Sequence, residues 1–252
     1  MQEFEDKSDY KHVNINRFYN RGTKTIFVVG DTHGKKLQHS FEIDAIFHIG
    51  DFTDHGKNLE EMLEYFNSLR IPFVFLHGNH EEFDGISFTN YAISETIEKI
   101  LRKRNFSNLI YLNNKIIEFF GVVVGGSPGG GYDLNYPNLE DLEKRLSSYA
   151  YNIDILLTHV PPYLTFLDIL KVPFDPQKEK FEGIIERDET GYKKWKHIGN
   201  VHVRDFVEKY EPQYLFCGHI HELSGEAFFL NSTLCVNVSN APHYLTFEVF
   251  RL

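Results

Sequence analysis

Short apolar runs alternate with amphipathic stretches along most of this chain. The runs are Thr25–Gly30, Ala45–Gly50, Pro72–Gly78, Val122–Gly126, Asp154–His159 and Tyr214–Gly218. Each is rich in Val, Ile, Phe or Leu and stops at Gly or a polar residue, the pattern of a buried strand. Two stretches have helical period. Leu59–Arg70 repeats apolar residues at Leu59, Met62, Leu63, Phe66 and Leu69, and Val201–Tyr210 gathers Val203, Phe206 and Val207 on one face. Ser94–Arg104 and Leu139–Tyr149 are also predicted helices, the second started by Pro137 and Asn138. Beyond Val236 the chain turns extended again and ends in Tyr244–Leu252. Strand–helix alternation followed by late strands predicts mixed sheets covered by helices, an α/β (α+β) domain. That domain is expected over residues 25–252, after a polar N-terminal segment, residues 1–24. Lys171–Lys196 breaks the pattern. It is charged, carries Pro173, Pro176 and the only Trp, Trp195, and reads as an inserted loop or short cap. Trp195 or Phe181 would offer an organic group an apolar platform on one wall of a cleft.

Composition narrows the partners. The 252 residues include 26 basic and 36 acidic side chains, a formal net charge of −10. That balance argues against a nucleic-acid groove or an anionic membrane surface as partner. It leaves a small anionic substrate open, because bound metal ions dominate the field around them. Two cysteines, Cys217 and Cys235, make no disulfide framework and read as small buried residues. Met1–Gly22 lacks the apolar core of a signal peptide, and no apolar run approaches the roughly 20 residues that span a bilayer. The expected compartment is the cytoplasm.

Chemistry-bearing residues cluster just past the predicted strands. Gly30-Asp31-Thr32-His33-Gly34 follows the first, Gly50-Asp51-Phe52-Thr53-Asp54-His55-Gly56 the second, and Gly78-Asn79-His80-Glu81 the third. Thr158-His159 and Gly218-His219-Ile220-His221 close two later ones. Loops beyond the carboxyl ends of strands in an open α/β sheet share one crevice, so five such loops are expected to meet. Carboxylates with imidazoles and no thiolates suit manganese, iron, zinc and similar divalent ions. On an extended segment, Asp31 and His33 would point the same way, as would His219 and His221. An isolated Asp-x-His or His-x-His is commonplace; five motifs in order, each past a strand, are not.

The set Gly-Asp-x-His, Gly-Asp-x-x-Asp-x-Gly, Gly-Asn-His-Glu, Thr-His and Gly-His-x-His resembles the calcineurin-like metallophosphoesterases from about Thr25 to the C-terminus. Within that superfamily, Leu157–Tyr163 and Cys217–Glu222 are similar to the small prokaryotic phosphoesterases and the animal metallophosphoesterase-domain proteins. The resemblance implies a four-layer α-β-β-α sandwich of two mixed sheets. It implies two divalent transition-metal ions, manganese first, with iron, zinc, nickel or cobalt as alternatives. By motif, Asp31, His33 and His221 would hold one ion, Asp51 would bridge, and Asn79, His159 and His219 would hold the other. Hydrolysis of a phosphodiester, or a phosphomonoester, would use a hydroxide shared by the ions. His80 would serve the leaving oxygen as the catalytic residue, with Glu81 orienting it.

Neighbouring residues have blander readings. His48 and His77 are either supports for a ligand or satisfied core histidines. Asp54 is expected to hydrogen-bond its own loop. His55 stands where the Ser/Thr protein phosphatases of the superfamily have arginine, which argues against a protein phosphatase. Ser127–Gly131 reads as a flexible loop at the site mouth. The competing functions are a non-catalytic scaffold on the same fold, disfavoured because every ligand position and His80 are kept, and a nuclease, disfavoured by charge. Sequence leaves substrate and oligomeric state open.

Overall fold

In the computed structural model, which describes residues 22–38, 42–82, 90–130, 139–146, 152–170, 185–187 and 193–249, every predicted strand run forms a strand. First come β1 (Gly22–Val29), β2 (Ala45–His48), α1 (Leu59–Ser68), β3 (Phe73–Phe75), the single turn α2 (Asn79–Glu82) and α3 (Asn90–Arg104). Next are β4 (Leu109–Tyr111), β5 (Lys115–Phe119), β6 (Val122–Ser127), α4 (Glu140–Leu146), β7 (Ile155–Thr158) and β8 (Ile169–Leu170). The chain finishes with β9 (Ile185–Arg187), β10 (Lys193–His197), α5 (Val201–Tyr210), β11 (Tyr214–Cys217), β12 (Ala227–Leu230), β13 (Thr233–Asn237) and β14 (His243–Val249). The polar segment before Gly22, the end of the fourth predicted helix and residues 250–252 lie outside the described residues.

Two mixed sheets result, in the orders β14-β1-β2-β3-β4 and β12-β13-β11-β7-β6-β5. The pairs β1–β2, β2–β3, β3–β4, β6–β7, β7–β11 and β11–β13 are parallel; antiparallel β14, β12 and β5 close three of the four edges, and parallel β4 closes the fourth. Strand alternation sorts the side chains into three apolar layers. In β1, Ile26 and Val28 face the other sheet, where they meet Val124, Ile155, Leu157 and Phe216. Phe27 and Val29 face outward and join Phe66 of α1 and Ile97 of α3. On the far side, Leu156, Leu215 and Cys217 pack with Leu142 of α4 and Val203 and Phe206 of α5. Helix, sheet, sheet, helix is the four-layer sandwich expected. Because both sheets are covered on both faces, their strands read as continuous apolar runs rather than alternating ones.

Local signals end the helices where expected. Asn200 caps α5 by accepting from Val203 N–H at 2.8 Å, and Glu211 ends it in the left-handed region. The strands the sequence did not announce have a physical reason. The β5–β6 hairpin turns through Phe120 (φ 52°) and Gly121 (φ 81°), both left-handed, the type I′ geometry usually signalled by Asn-Gly. Here a phenylalanine takes the strained position and buries its ring in the inter-sheet core.

The insertion is not a plain loop. β8, β10 and β9 form a separate antiparallel sheet, with Lys196 opposite Leu170 and Lys193 opposite Arg187. Trp195 lies on β10, but its side chain and Phe181 fall outside the described residues, so the apolar platform expected of them does too. Asp168 fastens the base of this sheet. Buried, it accepts from the N–H of Leu164 (2.9 Å), Thr165 (3.0 Å) and Gly199 (3.1 Å) and from His197 Nδ1 (2.7 Å).

Candidate metal centre

At the carboxyl ends of the parallel strands the loops hydrogen-bond to one another. Asp31 N–H donates to Gly50 O (3.0 Å), His33 N–H to Asp51 O (2.9 Å), and Gly218 N–H to His159 O (2.8 Å). Such close approach of backbones needs glycine. A Cβ on Gly78 would collide with Asp51 Oδ1, and one on Gly218 with Asp31 Oδ2. The strands also stop abruptly. Asp31, His33, Asp51 and His219 all adopt positive φ, between 46° and 70°, a region that Asp, Asn and His tolerate better than other residues. This corrects the expectation of extended alternation: a left-handed turn, not pleating, presents Asp31 and His33 together, and His221 opens a 3-10 turn.

All seven expected ligand positions converge. Ligand atoms of Asp31, His33 and His221 lie within 4.8 Å of one another, as do those of Asp31, Asp51 and His159. His221 Nε2 is 3.0 Å from Asp31 Oδ1 and 3.3 Å from His33 Nε2. Asn79 Oδ1 is 2.8 Å from His159 Nε2 and 2.9 Å from His219 Nδ1. His159 Nε2 is also 3.4 Å from Asp51 Oδ2, so Asp51 stands between the two groups. A pocket of about 230 Å³ opens over them, lined by Asp51, Asn79, His80, His219, His221 and Glu222.

Electrostatics test whether these residues fit a cation. His159 is fully buried, and with Nδ1 donating to Ile49 O (3.1 Å) its Nε2 faces only oxygen acceptors. Burial opposes its charge, yet Asp51 and Asp31 push it up to about 10. Burial would raise Asp31, but the hydrogen bond from His221 and the His159 charge hold it below the usual carboxylate range, and Asp51 is likewise depressed, chiefly by His159. A buried cluster of acceptors that must recruit a proton suits a divalent ion, whose charge replaces that proton. The mixed imidazole, carboxylate and amide donors match first-row transition ions; Cys217 and Cys235 stay in the outer core as buried thiols.

Around this cluster the structure corrects several expectations. The Glu81 carboxylate makes no hydrogen bond to His80. Its carboxylate accepts from Asp51 N–H, Thr53 N–H, Thr53 Oγ1 and Gly78 N–H at 2.7–2.8 Å, tying the second loop to the third. Burial and the Asp51 charge push it up to about 8, against those four donors. Asp54 stays with its own loop, its carboxylate 3.7 Å from His55 Nε2 and 3.8 Å from Lys57 Nζ, and also lies beside His80, Oδ1 to Nδ1 3.9 Å. His55 stacks on the same ring, with centroids 4.5 Å apart and planes 15° apart. Both contacts follow from the turn closed by Lys57 N–H on Asp54 O (3.2 Å), which spacing within the motif did not reveal. His48 Nε2 meets Thr32 Oγ1 at 3.0 Å, between Asp31 and His33, while burial lowers its pKa to about 3. His77 pairs with Tyr111 OH (2.5 Å) and lies 3.3 Å from Glu82, and touches none of the seven side chains. Residues 127–130 are buried rather than loose, with Gly129 N–H donating to His77 O and Gly130 N–H to Glu82. Gly131 lies outside the described residues.

His80 sits over the cluster. Its N–H donates to Asp51 Oδ1 (2.8 Å), its Nε2 is 3.9 Å from Asp51 Oδ2, and its ring packs edge-on to His33 at 4.4 Å. Burial lowers its pKa, opposed by Asp51.

Comparison with known proteins agrees with this geometry. The family profile described as calcineurin-like phosphoesterase matches residues 24–223. The human metallophosphoesterase domain-containing protein 1 is 26% identical over 238 residues, covering 82% of this chain and 65% of that protein. This chain thus spans just under two thirds of that relative's length. An uncharacterised protein of Methanocaldococcus jannaschii is 26% identical over 244 residues, covering 88% of this chain and 92% of that one. The crystal structure of phosphopantetheinyl hydrolase from Mycobacterium tuberculosis superposes with a TM-score of 0.58 at 13% identity, covering 86% of this chain and 89% of the other. That likeness concerns the fold alone.

Proposed function

Because this chain belongs to the calcineurin-like phosphoesterase family, whose members use divalent metal ions to hydrolyse phosphoesters, we propose that it is a dinuclear phosphodiesterase acting on a small phosphorylated substrate. The observation that carries this reading is the convergence of all seven donor residues, of which Asp51, Asn79, His219 and His221 line one pocket together with His80. We assign Asp31, His33 and His221 to one ion, Asn79, His159 and His219 to the other, and Asp51 to both. Manganese is the favoured ion, since hard carboxylate and amide oxygens accompany the imidazoles. When bound, the ions supply positive charge toward the phosphoryl oxygens and acidify a nucleophilic water.

The chain's own residues do the rest. Asp51, held by its N–H on Glu81, keeps its carboxylate aimed between the two donor groups. His159 has its ring direction fixed by Ile49 O, so Nε2 points into the site. His80 gives a proton to the leaving oxygen, with Asp54 beside its Nδ1 to steady the ring. Two features favour a diester over a monoester or a nucleic acid. The pocket has no Lys or Arg among its described lining residues to meet a second phosphate charge, and His55 takes the place of arginine. The two free, buried cysteines suit a reducing compartment such as the cytoplasm.

The test is a panel assay of the manganese-loaded protein on bis-p-nitrophenyl phosphate, p-nitrophenyl phosphate, cyclic nucleotides and single-stranded DNA. Metal-dependent turnover, fastest on a diester, is expected. Metal-replete protein that hydrolyses no ester would overturn the enzyme in favour of the scaffold; salt-sensitive DNA cleavage as the fastest reaction would replace it with a nuclease.

A further inference from the structure

Five of the six residues lining the pocket have a part in the reading above; Glu222 has none. It follows His221 on the 3-10 turn His221–Leu223, is exposed, and makes no hydrogen bond or ion pair among the described residues. Among the described residues nothing compensates its carboxylate, which is left to pocket and solvent. Asp54, whose side chain is 54% exposed beside His80, adds a second acidic group to the rim, but Lys57 Nζ lies 3.8 Å from its Oδ2. No described lining residue carries a fixed positive charge to offset Glu222.

Such a rim sorts substrates by the charge of what hangs from phosphorus. The bound ions answer the phosphoryl oxygens, but an organic group reaching outward meets Glu222. A further anion there is repelled, a neutral group gains nothing, and an ammonium group finds an unpaired carboxylate. The leaving oxygen belongs to His80, so Glu222, on a different loop, is left to the alcohol retained on phosphorus. Building on the phosphodiesterase reading, we propose that Glu222 is a specificity-determining residue that selects phosphodiesters whose retained alcohol bears an ammonium group.

Two esters isolate the effect in the full, manganese-loaded chain: p-nitrophenyl phosphorylcholine and p-nitrophenyl 3,3-dimethylbutyl phosphate. They share leaving group and shape and differ only in a quaternary nitrogen against a quaternary carbon. In each reaction the oxygen of water joins phosphorus, the P–O bond to nitrophenol breaks, nitrophenolate leaves, and the protons of the water pass to the phosphate product and solvent. A charge pair near solvent is expected to favour the choline ester by about tenfold in kcat/KM. Glu222→Gln is expected to bring the ratio of the two esters to about 1, and Glu222→Lys to invert it. His80→Ala is expected to slow both and leave the ratio in place, which separates specificity from general damage. A wild-type ratio near 1, or a preference that survives Glu222→Gln, overturns this inference while leaving the phosphodiesterase reading standing. Hydrolysis of neither ester by metal-replete protein overturns both.

Discussion

Glu81 holds the backbone of Asp51: its Oε2 accepts the Asp51 N–H at 2.8 Å while also accepting Gly78 N–H at the same distance. The other oxygen takes Thr53 N–H and Thr53 Oγ1. Above about pH 8 the carboxyl is ionised and its two oxygens accept from all four donors; an amide cannot, because its NH₂ must face some of them. Above that pH, Glu81→Gln is therefore expected to cost about 1–3 kcal/mol in urea unfolding of the metal-free protein, the usual penalty for orphaned buried donors. It should also weaken manganese binding in titration calorimetry, since the Asp51 loop is no longer clamped. Unchanged stability would show that the four bonds are not a clamp.

Asp51 is the common neighbour of both donor groups. For Asp51→Asn we expect nearly complete loss of phosphoesterase activity and less than full metal content by mass spectrometry, with an unchanged far-ultraviolet circular dichroism spectrum. Full activity in this variant would sink the bridging assignment.

His80 and Asp54 separate proton delivery from metal binding. His80→Ala should retain metal but lose roughly 10²–10⁴-fold in kcat, the size of a general-acid contribution. The loss should grow as the leaving group becomes more basic, because nitrophenolate needs less help than an alkoxide. Asp54→Asn should show a smaller loss with the same leaving-group trend. If metal occupancy collapses in His80→Ala, then His80 is a ligand rather than an acid.

His48 supplies an acid sensitivity. Its ring lies among Phe52, Phe66 and Phe73, and burial lowers its pKa from the ordinary 6.5 to about 3. The unfolded chain binds a proton below pH 6.5 that the folded chain refuses until about pH 3. Its contribution therefore falls as pH falls through that window, by up to about 3 kcal/mol between pH 6.5 and 4. His48→Phe should flatten this part of the stability–pH curve even if it lowers stability at neutral pH through loss of the Thr32 bond. Curves of equal slope would contradict a neutral buried His48.

Layers and meeting residues are legible in the residue pattern alone. Doubly covered strands must be continuously apolar, and helices covering them must carry one apolar face, so Thr25–Gly30 and Leu59–Arg70 declare their roles locally. Each motif sits where its strand ends, and parallel strands put those ends side by side; hence Asp31, Asp51, Asn79, His159 and His219 could be gathered before any fold was seen. Tertiary structure decided the rest. Whether Glu81 faces His80 or the Asp51 loop, and whether Asp54, while held in its own turn, also reaches His80, depends on how one loop leans over another. No residue spacing encodes that. The β5–β6 hairpin escaped notice because burial of Phe120 offsets a backbone strain that local propensity would reject. Lys171–Lys196 read as loop because the strands Ile185–Arg187 and Lys193–His197 find their partners only once Ile169–Leu170 lies alongside. Pairing over a distance is a property of the folded chain, whereas amphipathic period is a property of the segment.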